Sequence, residues 1–236
     1  MRIILVVAIL GSLMSPPVSG QVDPEESRKH VILKWSPLSM YDIDNTVQFG
    51  VEVPLPDSRF TIQQEIGYGH GSFNLWYIGR ENRPDKNTIK ARTQLRFYFI
   101  ERTRFRAYVA GEYLYKRVVN QKQDWTGREC TVPGGCSFFE NMNVKQGRFV
   151  NAVHAKAGWH FYFSNRISLD LHTGMGFRQS KLRMITPGVQ NRNLESDWLF
   201  GNTDFTSGDV IPSLSVGFQV GIALGKFQKP YQLPGP

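Results

Sequence analysis

Residues 89–99 read IKARTQLRFYF and place Lys90, Arg92, Gln94 and Arg96 at every second position, with Ile89, Ala91, Leu95, Phe97 and Phe99 between them. Side chains of a strand point alternately to opposite faces, so this alternation predicts a β-strand with one cationic and one apolar face. It leaves open which face is inside.

Seven other segments carry a strand signal: 30–38, 46–55, 59–69, 104–116, 148–163, 166–178 and 211–227. With the first stretch they make eight strands. Strands two and three join through PDS, four and five through ERT, and six and seven through Ser164 and Asn165. At the opposite end, MYDID is short, whereas 70–87, 117–147 and 179–210 read as long polar loops. Short turns at one end and long loops at the other are the asymmetry of a transmembrane barrel. We therefore expect an all-β fold, an eight-stranded antiparallel transmembrane β-barrel with short periplasmic turns and long extracellular loops.

The N-terminus, MRIILVVAILGSLMSPPVSG, has one cation, a short apolar run and small residues before Gln21. This predicts a signal peptide over 1–20, followed by a periplasmic segment 21–29, a barrel over 30–227 and a Pro-rich tail 228–236. No later apolar run is long enough for a spanning helix, so membrane residence must come from strands. The net charge of +8 suits an anionic lipid surface. No nucleic-acid motif is present, and an exported chain rarely meets DNA. Cys130 and Cys136 flank a Pro-Gly-Gly turn, which in an oxidising compartment reads as a disulfide.

The polar stripe contains Gly50, Gly67, Gly69, Gly158, Gly174, Gly176, Gly217 and Gly221. Glycine weakens a strand and gains nothing facing water, but it makes room for long side chains in a narrow interior. The charges of that stripe nearly balance: Glu52, Glu65, Glu112 and Asp170 against Lys90, Arg92, Arg96, Lys156 and Arg178. We therefore place the polar stripe inside as an ionic network and the apolar stripe in lipid. Tyr98, Phe99, Tyr113, Tyr115, Phe161, Tyr162 and Phe163 read as interface girdles, and Gln64 and Thr93 interrupt the apolar face. A soluble lipocalin-like barrel with the faces reversed is the alternative.

In VILKWSPL, VQFGVEVPLP, RTQLRFYF, AGEYLYK and GWHFYF joined by SNR to ISLDL, the chain resembles small outer-membrane barrels of the OmpA and OmpX type. It resembles more closely a barrel family common in the Bacteroidota. The resemblance implies residence in the outer membrane of a Gram-negative bacterium. The partners it implies are outer-membrane lipid and lipopolysaccharide, barrel-assembly machinery and other outer-membrane proteins. VGFQVGIALGKF is similar to an assembly signal ending in an aromatic, here Phe227, although QKPYQLPGP follows it.

For chemistry, His70 and Ser72 have the spacing that puts both on one strand face, the basis of a lipid-deacylase alternative, but no orienting acid accompanies them. His154, His160 and His172 share the polar stripe and read as hydrogen-bonded interior residues, not metal ligands. No phosphate loop or cofactor motif is present. We expect a non-enzymatic barrel with an interaction or scaffold role, as a complex subunit or through surface loops.

Overall fold

The computed structural model describes residues 30–42, 44–56, 59–71, 85–102, 104–131, 135–164, 166–186 and 208–225. The signal segment 1–20, the segment 21–29, Ser72, Phe227 and the tail 228–236 lie outside them. Eight antiparallel strands run β1 Val31–Trp35, β2 Val47–Pro54, β3 Phe60–His70, β4 Asp85–Arg102, β5 Phe105–Thr131, β6 Gly135–Tyr162, β7 Ile167–Met184 and β8 Val210–Leu224. Each pairs with its neighbours in sequence, and β1 pairs with β8 over Val31–Trp35, so the sheet closes into a ring. Among the described residues no helix is long and apolar enough to cross a membrane.

Three features depart from the sequence reading. The first strand ends at Trp35 instead of Leu38. Pro37 cannot donate to a ladder and opens a short 3₁₀ turn, Pro37–Met40. Ser39 Oγ then donates to the carbonyls of Ser36 and Thr46, at 2.6 and 2.7 Å, and draws the 36–46 connection over the mouth of the ring. Second, 117–147 is no long loop. The β5–β6 ladder continues to Thr131 opposite Gly135. This segment is mostly polar and its apolar residues, such as the adjacent Val118 and Val119 or Phe138 and Phe139, keep no period of two, yet a paired ribbon satisfies its backbone as well as water would. Neighbouring pairing stops at Gln121 and Gln146, which leaves a two-stranded ribbon of about 30 Å projecting beyond the ring.

The third feature is a register shift between Tyr98 and Ile100. It is a bulge that lets consecutive residues Phe99 and Ile100 both face outward and turns Glu101 inward. We call the end with the short connections the turn end and the opposite one the loop end.

The faces sort cleanly. Outward positions over Val31–Trp35, Val47–Val53, Phe60–Tyr68, Ile89–Ile100, Phe105–Tyr115, Asn151–Phe161, Ile167–Phe177 and Pro212–Leu224 contain no Asp, Glu, Lys or Arg. On β3 to β8 this belt is 9–11 residues long or slightly more, enough for a tilted strand to cross a hydrocarbon layer. Inward positions hold buried charge and amide, and the stripe of glycines fits among them. A Cβ on Gly50 would stand 2.6 Å from Glu65 Cγ, one on Gly174 the same distance from Lys156 Cγ, and one on Gly158 inside the Tyr108 ring.

Candidate functional site

The interior is built in tiers. Nearest the turn end, Lys34 on β1 reaches Glu52 on β2 at 2.5 Å and Asp170 on β7 at 2.6 Å. Arg96 on β4 meets the same two carboxylates at 3.3 and 2.5 Å. The remaining lone pairs are also taken: Tyr98 and Thr61 donate to Glu52 and Tyr108 donates to Asp170, each at 2.7 Å. Arg96 stacks on Tyr108 and Arg106 on Tyr98, with guanidinium carbons 4.3 and 3.8 Å from the ring centres. Arg106 also donates to Tyr162 and to Glu101, the residue that the bulge turns inward.

Buried ions are tolerated when their partners are complete, and here three cations face three carboxylates with hydroxyls filling the gaps. Glu52, His160 and Asp170 hold possible ligand atoms within 4.8 Å of one another, a metal-like grouping. Lys34 and Arg96 already lie against both carboxylates, so the chain supplies its own cations there.

In the middle tier, Glu65 accepts from Gln48, from Gln63 at 2.5 Å and from Gln94 at 2.9 Å. Glu112 is ion-paired to Lys156 and accepts from Gln94 at 2.8 Å. Gln219 accepts from Gln63 and donates to Ser36, both at 3.0 Å, tying β8 to β3 and to the residue that follows β1.

At the loop end the 36–46 connection brings its own carboxylates over the interior. Asp44 lies against Lys86 at 2.5 Å, Lys116 at 2.7 Å and Arg148, which come from β4, β5 and β6 on the far wall. Asp42 is 3.4 Å from Lys90. Burial alone would raise the Asp44 carboxyl, but the charges of Lys116, Arg148 and Lys86 outweigh it and hold it below the ordinary range. Asp42 is held down the same way, burial being outweighed by Lys116 and Lys90.

Of the residues named from sequence, Glu52, Glu65, Lys90, Arg96, Glu112, Lys156 and Asp170 are buried in the interior and Arg92 is half-buried there. Arg178 shares their strand face but is exposed near the loop end, outside the network, because alternation encodes face and not height. Tyr98 and Tyr162 are not girdle residues: both are buried inside, at 0% and 4% exposure, as hydrogen-bond partners of Glu52 and Arg106. His70 ends β3 opposite Asn87, half-buried. Cys130 and Cys136 are register partners across the β5–β6 ribbon, and no cysteine among the described residues is free.

The two polar interruptions of the outer belt satisfy each other, Thr93 donating to Gln64 at 2.6 Å. Asn151 likewise accepts from the outward Tyr113 at 2.8 Å. Sequence reasoning missed Lys34, Asp42, Asp44, Glu101 and Arg106. Alternation of Ile32, Lys34 and Ser36 against Val31, Leu33 and Trp35 could have found Lys34.

No family model, curated protein or solved structure matches this chain.

Proposed function

We propose that this chain is an integral outer-membrane β-barrel with a non-enzymatic interaction or scaffold role. The observation that supports it best is the uncharged outward belt over a charged interior. Exposed side chains such as Ile66, Val153, Met175, Leu214 and Val216, each more than 60% exposed, form an apolar girdle far larger than a water-soluble surface tolerates. A lipocalin-like barrel would have these faces reversed. Within the belt Thr93 is paired with Gln64 and Tyr113 with Asn151, as hydrocarbon demands.

Two further observations agree. Outward aromatics gather near the turn end, with Phe60 and Phe97 centroids 5.0 Å apart and Phe105 and Phe161 5.3 Å apart, as in an interfacial girdle. Each short turn also carries exposed arginine: Arg59 in one, Arg102 and Arg104 in the next, Arg166 in the third. Guanidinium groups at that level would meet lipid phosphates. The likeness of VILKWSPL and RTQLRFYF to OmpA- and OmpX-type barrels, and to a Bacteroidota family, agrees with this reading. So does the signal-like N-terminus.

On this reading the β5–β6 ribbon is the surface that meets a partner protein. It presents Trp125, Phe138 and Phe139 at 68%, 51% and 64% exposure. A lone two-stranded ribbon is marginally stable, and a Cys130–Cys136 disulfide near its tip would brace it. The test is folding of the full chain into lipid vesicles. We expect it to float with the vesicles and to change gel mobility on boiling. A chain that stays in the aqueous fraction, or is recovered in a periplasmic wash, would overturn the membrane reading. Affinity capture from the native membrane, with and without the ribbon, addresses the partner separately.

A further inference from the structure

The interior contains a cavity of about 250 Å³ beneath the 36–46 connection, lined by Ser39, Asp42, Lys90, Arg92, His172 and Gly217 among others. We propose that it binds a small oxyanion, a carboxylate or phosphate group carried by a molecule that enters from the loop end. Three observations converge on an anion.

Among the described residues, polar groups facing the cavity lack partners, including the Arg92 Nε–H donor and the imidazole of His172, one of whose nitrogens donates. Arg92 Nε is buried with no hydrogen bond among the described residues, and so are both ring nitrogens of His172, a side chain 5% exposed. Leaving such groups desolvated and unpaired is costly, so a buried site of this kind is built for an acceptor.

The charge balance runs the same way. Four cations, Lys86, Lys90, Lys116 and Arg148, lie against the two carboxylates Asp42 and Asp44, and Arg92 adds a fifth cation one step further in, opposite Glu65. Arg92 acts electrostatically on Glu65 and Glu112. Both Glu65 oxygens are engaged by Gln48, Gln63 and Gln94, and Glu112 Oε2 by Gln94 and Lys156, while Glu112 Oε1 lies 3.2 Å from His154 Nδ1. Lys90, 2% exposed, reaches Asp42 only at a long 3.4 Å.

The arrangement also suits the ligand. A guanidinium offers a planar fork and a lysine a point charge, the pair of donors that oxyanion sites use most. A volume near 250 Å³ falls just below the roughly 300–1,000 Å³ of drug-sized sites, which limits the ligand to a small acid or phosphate ester. Val216 and Phe218 of the outward face also border it, so the cavity adjoins the belt beside β8 as well as lying under the connection.

The experiment is calorimetric titration of the full chain, refolded in low-salt zwitterionic detergent, with inorganic phosphate and separately with acetate. We expect saturable binding of one equivalent of at least one of them, weakened by added salt. Arg92→Gln should lower affinity about tenfold or more, the worth of one charge-assisted bond, and Arg92→Lys should restore part of it. His172→Ala is the second variant, read in the same way if Arg92→Gln fails to refold. Absence of saturable heat with both anions, or unchanged affinity in the variants, would overturn the proposal. The readout does not depend on vesicle insertion, so this inference and the membrane reading can fail separately.

Discussion

The two ends of the interior solve the problem of buried charge differently. At the turn end Lys34, Arg96 and Arg106 are matched one for one to Glu52, Asp170 and Glu101, and tyrosines fill most of the remaining positions, although Arg106 Nε and His160 Nε2 keep no hydrogen bond among the described residues. At the loop end cations outnumber carboxylates, the carboxylates come from a connection and not from a strand, and a cavity remains. The contrast teaches that one strand pattern can build a sealed plug and a receptive mouth. What separates them is the height at which partners are supplied.

The largest expected break in that comparison is Lys34→Met. It removes the cation shared by Glu52 and Asp170, both nearly inaccessible, and leaves Arg96 alone against two carboxylates. Breaking a buried pair from one side costs about 3–5 kcal/mol, which denaturant unfolding followed by tryptophan fluorescence should detect. If Lys34→Met unfolds at the wild-type midpoint, the turn-end network is not what holds the ring closed.

Glycine substitutions sharpen the comparison. In Gly158→Ala the new methyl meets the ring of Tyr108, which is wedged beneath Arg96 and bonded to Asp170. Overpacking of this kind costs about 1–3 kcal/mol. In Gly217→Ala the methyl meets His172 Nε2 at 2.8 Å, but that ring borders a cavity and can turn into it. Unfolding midpoints should therefore fall for the first and change little for the second.

The smallest effect concerns acid. Asp44 and Asp42 have lowered carboxyl pKa values in the folded chain, so the stability they add is fully present above the ordinary carboxylate range near about pH 4 and is lost as pH falls through the folded values. Hydrogen-exchange protection of residues 36–46, taken relative to the intrinsic rate at each pH, should be unchanged from pH 7 to 5 and should fall in stronger acid, before that of the turn-end strands. In Asp44→Asn that pH dependence of protection should shrink, with low protection already at neutral pH.

Much of this was legible in the sequence, for identifiable reasons. Lys90, Arg92, Gln94 and Arg96 announce strand β4 by period alone, and the glycines in the same stripe tell its inner face. The same period would have placed Tyr98 inside, but aromatic residues near a strand end suggested an interface instead. Glu101 was hidden by the bulge, which shifts the alternation by one. Lys34 stands alone in a short apolar strand. The ribbon beyond Gln121 mixes polar residues with the adjacent pair Phe138 and Phe139 and so offers no period of two to read. Asp42 and Asp44 were illegible for a different reason, since nothing local marks a connection that folds inward across a ring.

The seam between β1 and β8 carries a kinetic consequence. Among the described residues it joins five residue pairs, Val31 with Leu224 through Trp35 with Val220, from distant parts of the chain, whereas β5 and β6 zip together around a turn. Contacts between distant segments cost the most loop entropy and form late, so the hairpin can nucleate long before the seam does. Until it closes, β1 and β8 are two open sheet edges bordered by apolar side chains, the form most prone to pair with a wrong neighbour. Assembly is thus a race between sealing one short joint and aggregation at its unsealed lips.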